Sequence, residues 1–140
     1  MNSRTRAALA GAAAATAWAA VEPLDRRFVR HDYSDVALLG KWVTRSRAWP
    51  FVGLAIHAAN GAGFGLAFHE LRVRTGVDGR RLALGMALAE NVAGYPLAPL
   101  VDRIHPARGE PGVAPLTSPR AFVQATARHA LFGYLLGRWA

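Results

Sequence analysis

Cysteine is absent from this 140-residue chain, which excludes disulfides, Cys-ligated zinc, iron–sulfur clusters and thiol catalysis and leaves the redox compartment unmarked. Serine occurs only at Ser3, Ser34, Ser46 and Ser118, all outside the apolar stretches, so no Ser-His-Asp arrangement can be assembled. Acidic residues are few, nine against 17 basic ones. Charge of either sign is missing from residues 48–69. Those 22 residues, at about 1.5 Å each in a helix, are long enough to cross roughly 30 Å of hydrocarbon.

What is present fits that length. Three further stretches, centred near Thr16, Asn91 and His129, are apolar, rich in Ala and Gly, and bounded by Arg or Pro. The expectation is one all-α domain over residues 1–140, an integral membrane four-helix bundle with spans near 5–23, 48–71, 80–101 and 119–139. Mean hydropathy is only +0.13 because Ala and Gly rather than Leu and Ile fill the runs, and small residues let membrane helices approach closely. A soluble Ala-rich helical domain is the alternative that this modest hydropathy leaves open.

The net charge of +8 points to nucleic acid or anionic lipid, and position decides between them. Basic residues sit at the ends of the apolar runs: Arg4 and Arg6, Arg26 to Arg30, Lys41 to Arg47, Arg72 to Arg81. There they meet headgroups, while no RNA-recognition, zinc-finger or basic-zipper pattern is present. The expected partners are the lipid bilayer and its anionic headgroups, not nucleic acid, and the expected location is the cell membrane, with several passes. Orientation stays open, since seven basic residues flank one side and nine the other.

Residues 7–21 follow Arg4 and Arg6 and could serve as a secretory signal, but further spans follow, and a retained first helix ended by Pro23 is the favoured reading. In the polar connector 24–47, Ser34-Asp35 can cap a short amphipathic helix carrying Val36, Leu39, Trp42 and Val43, suited to the membrane interface or to a solvated connector. Residues 75–79 form a turn signal, Thr-Gly-Val-Asp-Gly, so spans two and three should make a tight antiparallel hairpin. Pro96 and Pro99 should kink the third span after Tyr95, and the Pro-rich stretch 102–119 reads as a loop.

Against the apolar background one polar layer stands out: His57 and Asn60 in span two, Glu90 and Asn91 in span three, and Gln124, Arg128 and His129 in span four. A lone charge at the centre of a membrane helix costs about 2.5–3.5 kcal/mol on insertion scales, so Glu90 and Arg128 should pair. The layer reads either as interhelical glue or as a relay for protons, ions or a small polar solute. A metal site from His57, Glu90 and His129 has no diagnostic spacing and Arg128 would oppose a cation, so no metal is expected. No cofactor motif is present either. His31-Asp32, His69-Glu70 and His105 are expected to be solvated, although His69, Glu70, Asp102 and His105 are the candidates should the chain be a lipid-modifying enzyme. Gly61 and Gly65, like Gly133 and Gly137, make GxxxG pairs for helix packing within one chain or for homo-oligomerisation.

Four segments carry a resemblance: Pro23-Leu24-Asp25, the stretch from His57 through Asn60 to Gly65, His105-Pro106-Ala107-Arg108, and Arg128-His129-Ala130-Leu131-Phe132-Gly133. In these the chain resembles small multispan inner-membrane proteins of the YagU-like kind. The resemblance implies a helical membrane protein and lends no catalytic residue. The expected function is thus a non-enzymatic structural or accessory membrane protein, with a transporter or channel subunit as the alternative.

Overall fold

The computed structural model describes all 140 residues, and its regular secondary structure is all helical. Helix α1 spans Ser3–Val29, α2 Asp35–Val43, α3 Trp49–Thr75, α4 Gly79–Gly94, α5 Ala98–Ile104 and α6 Pro119–Trp139, with a 3-10 turn at Tyr95–Leu97. Two of them, α1 and α3, are long and apolar enough to cross a membrane.

Local chemistry sets the ends. Asn2 accepts the Thr5 N–H at 2.7 Å, Ser34 the Ala37 N–H at 3.1 Å, Asp78 the Arg81 N–H at 3.1 Å, and Ser118 the Arg120 N–H at 3.1 Å, so four helices open on side-chain caps. Helix α3 stops at Gly76 in the left-handed region, φ 65°, where glycine carries no Cβ penalty. Pro23 does not end α1, contrary to expectation; the helix runs through it to Val29. A proline removes one backbone donor, and here Glu22 and Asp25 on either side are anchored by partners from α2 and α6, which hold the last two turns in place.

Small residues decide which helices touch. A Cβ on Gly11 would lie 2.0 Å from the Gly61 carbonyl oxygen, and one on Gly65 would lie 2.1 Å from the Ala7 carbonyl oxygen. Helices α1 and α3 therefore meet backbone to backbone. Gly40 and Gly53 join α2 to α3 in the same way. Gly133 and Gly137 lie against Leu84, Ala87, Arg80 and Ala83 of α4. Both GxxxG pairs are thus occupied by contacts within this chain.

The spatial order that results is α3, α1, α6, α4. The tight packing expected between spans two and three is missing: α3 and α4 are joined by a short turn yet barely touch, because the small-residue stripe of each faces another helix. A cavity opens between them. The third of the expected spans is divided as well, since the helix ends at Gly94 and Pro96 and Pro99 enter the 3-10 turn and the start of α5.

Loop 105–118 is docked on the α2 region. His105 is 2% exposed, not solvated: Ala107 N–H donates to its Nδ1 at 3.0 Å, so its Nε2 carries the hydrogen and donates to the Leu38 carbonyl at 2.9 Å. Lys41 reaches the Pro111 carbonyl at 2.8 Å, Asp32 accepts the Gly112 N–H at 2.8 Å, and Asp102 accepts the N–H groups of Leu116 and Thr117. His31 pairs with the Pro115 carbonyl at 3.0 Å. The loop is irregular because of its prolines, and its backbone is satisfied by side chains from far along the chain. His69 and Glu70, half-buried near the end of α3, lie outside both polar groupings described below; Glu70 meets Arg4 at 3.6 Å.

Candidate functional site

The seven residues of the expected polar layer fall into two groups. Arg128 and Gln124 face α1 and α2, whereas His57, Asn60, Glu90, Asn91 and His129 line the cavity between α3 and α4.

Arg128 is 1% exposed and fully engaged. Its Nε and Nη2 close bidentately on Asp25, Nη2 at 2.6 Å; Nη1 donates to Asp35 at 2.8 Å and lies 3.6 Å from Glu22; Nη2 also donates to the Tyr33 carbonyl at 2.9 Å. The guanidinium stands 4.8 Å over the Tyr33 ring. The Glu90–Arg128 contact expected from the sequence does not form. Three carboxylates outcompete one, because α1 and α2 deliver Glu22, Asp25 and Asp35 to the side of α6 that carries Arg128, while α4 sits on another side.

The acids are themselves held. Gln124 donates to Asp25 at 2.8 Å and to the His31 carbonyl at 3.2 Å, Trp18 Nε1 donates to Asp35 at 3.0 Å, Tyr33 O–H donates to the other Asp35 oxygen, and Ser34 O–H and the Asp35 N–H donate to Glu22. Burial alone would push the Asp35 carboxyl up; the Arg128 guanidinium and the Tyr33 hydroxyl overcome it and hold Asp35 below the ordinary carboxylate value. Burial and the Asp35 charge push the Tyr33 hydroxyl well above its usual value. Such a buried, charge-assisted network fixes the relative placement of α1, α2 and α6.

The second group is open. The cavity has a volume of about 390 Å3 and draws its walls from every helix. His129 Nε2 meets Glu90 Oε2 at 2.6 Å, and His129 Nδ1 meets the Ala125 carbonyl at 2.7 Å. A carbonyl only accepts, so Nδ1 carries a hydrogen, and the contact to Glu90 holds one proton shared between ring and carboxyl. The Glu90 side chain is 60% exposed and its Oε1 has no partner in the protein. Asn91 donates to Thr126 at 2.9 Å.

His57, 8% exposed, leaves Nε2 buried without a partner. Trp18 stands edge-on to His57, 5.0 Å between ring centroids, and to His129, 4.6 Å. No three His, Asp or Glu side chains converge as a metal site would require.

Sequence reasoning overlooked Glu22, Asp25, Tyr33 and Asp35. Four of the nine acidic residues fall within residues 22–35, a concentration that marks buried partners for a lone helical Arg in a basic chain. Comparison with family models, with curated proteins and with solved structures finds no match to this chain.

Proposed function

We propose that this chain is a multi-pass integral membrane protein of the cell membrane, a four-helix bundle of α1, α3, α4 continued by α5, and α6, with α2 at the interface. Its role is non-enzymatic, structural or accessory. One observation carries this reading: between the helix ends, Glu90, on the wall of the cavity, is the one charged side chain that is exposed. The outer surface elsewhere is apolar, with Leu9, Phe51, Leu54, Leu84, Val92 and Val123 exposed. Water would gain nothing from such a surface, whereas hydrocarbon solvates it.

The Arg128 network supports a structural task. Every charge in it is paired, and α1 supplies two of its acids, so cleavage of α1 as a signal would strip Arg128 of half its partners. The tightly packed GxxxG pairs argue for the same role. A second reading, a transporter or channel subunit, is favoured by the shared proton of His129 and Glu90 inside an open cavity.

Membranes from cells expressing tagged protein, washed with high salt and alkaline carbonate, should retain it until detergent is added; release by carbonate would refute the membrane reading. The His57→Gln variant then separates the two roles. Lost flux of a proton or solute with normal yield favours transport, and lost folded protein favours the structural task.

A further inference from the structure

The cavity between α3 and α4 departs from the chain around it. The protein carries 17 basic and nine acidic residues, yet the cavity wall contains Asp35 and Glu90 and no Lys or Arg. Asp35 is spent on Arg128 behind the wall, which leaves Glu90 Oε1 as the unpartnered carboxylate oxygen. Six of the 13 aromatic residues also line it: Trp18, Tyr33, Phe64, Tyr95, Phe122 and Phe132.

The size of the cavity falls within the range, roughly 300–1,000 Å3, of small-molecule sites. His57 closes its inner wall, with Nε2 sealed beneath the surface and without a hydrogen-bond partner.

We infer that this cavity binds a small organic amine in its protonated form, an ammonium group on an aromatic or branched alkyl body. The ammonium donates to Glu90 Oε1, and the body packs among the aromatic rings, whose faces attract a cation. An anion meets the Glu90 carboxylate, and the basic group beside it, His129, is already engaged by Glu90 and the Ala125 carbonyl. A neutral apolar molecule fills the space but leaves Glu90 Oε1 unpaired. The inference goes beyond the membrane reading and does not require it, since the same walls enclose the cavity in lipid or in water.

Isothermal titration of the purified full-length protein with three probes of one shape tests it: 2-phenylethylamine, protonated at pH 7, 2-phenylethanol, and 3-phenylpropionate. The amine should bind at least tenfold more tightly than the alcohol, and the carboxylate should bind more weakly than either. In the Glu90→Gln variant the amine should fall to the affinity of the alcohol. Equal affinity for amine and alcohol, no binding of the amine, or a preference that survives Glu90→Gln would each overturn the inference. Should that variant fail to fold, Gly94→Leu serves in its place: Gly94 lines the cavity with open space around it, so the added side chain fills the site without disturbing packing. Amine binding should then be lost, and its persistence at full strength overturns the assignment. These results are independent of carbonate extraction, so failure here leaves the membrane reading standing.

Discussion

Arg128 on α6 and Asp25 on α1, 103 residues apart in sequence, form a bidentate pair at the point where α1, α2 and α6 converge. Removing the cation strands Glu22, Asp25 and Asp35 in a buried site. Breaking a buried pair by deleting one partner typically costs about 3–5 kcal/mol. Arg128→Leu should therefore give little folded protein. Arg128→Lys should rescue only part of the yield, because an ammonium cannot reproduce the planar fork that bonds Asp25 and Asp35 together. Folded yield by size-exclusion chromatography and thermal melting read both variants.

Glycine substitutions separate close packing from intrinsic helix preference. A Cβ on Gly61 would sit 2.5 Å from the Gly11 carbonyl oxygen and 2.6 Å from the Ala15 Cβ, so Gly61→Ala should destabilise by about 1–3 kcal/mol. Gly63, two residues on, has nothing within 4 Å. Gly63→Ala should be neutral or stabilising, by up to about 1 kcal/mol. Opposite shifts in melting temperature for these neighbours are the expected result, and equal shifts would remove the α1–α3 backbone contact from the account.

Acid should loosen the α2 region in a defined direction. Burial favours the neutral form of Asp32, but the Gly112 N–H and the Arg26 guanidinium outweigh it and hold the carboxyl below its ordinary value; Asp35 is held down by Arg128 and Tyr33. A carboxyl whose folded pKa is depressed stabilises the fold above its unfolded pKa, near 3.9, and that contribution is lost as pH falls through the folded value. Thermal stability should stay level with respect to these groups from pH 7 to about pH 5 and decline below about pH 4. Asp32→Asn should flatten part of that decline, with the change appearing as easier proteolysis of loop 105–118.

Ala59 lies exposed near the middle of α3 and offers a direct test of the surroundings of that helix. Ala59→Arg should cost about 2.5–3.5 kcal/mol of insertion free energy if lipid lies outside, and within about 0.5 kcal/mol of nothing if water does. Glycosylation-mapped insertion of the α3 segment, with Ala59→Gln as a control, reads the difference.

His105 ties loop 105–118 to α2 through both ring nitrogens. His105→Ala leaves the Leu38 carbonyl and the Ala107 N–H without their partners and should cost about 1–3 kcal/mol, local to the loop. Faster amide exchange at Ala107 and neighbouring residues, with α1 and α3 unchanged, would mark that local release.

Composition and periodicity made several features legible. The charge-free stretch around Gly53 to Phe68, the small-residue faces at Gly61 and Gly133, the cap at Ser34, the turn at 75–79, and the break after Tyr95 are all local consequences of residue type, so they can be read from the chain alone. The polar residues of α3, α4 and α6 were legible as a group for the same reason: each is a conspicuous departure from an apolar helix.

Their partners were not, and the physical reason is geometric. Which carboxylates reach Arg128 depends on α1 continuing through Pro23 and α2 folding back toward α6, and neither follows from periodicity. The vacancy between α3 and α4 likewise arises because each helix spends its small-residue stripe on another neighbour, a choice made only when four long helices compete for the same close approaches. Residue type determined that the chain would be helical, basic at the ends of its apolar runs and polar at a few interior points; tertiary packing decided that Arg128 would be neutralised by α1 and α2 and that Glu90, His57 and His129 would face an open cavity.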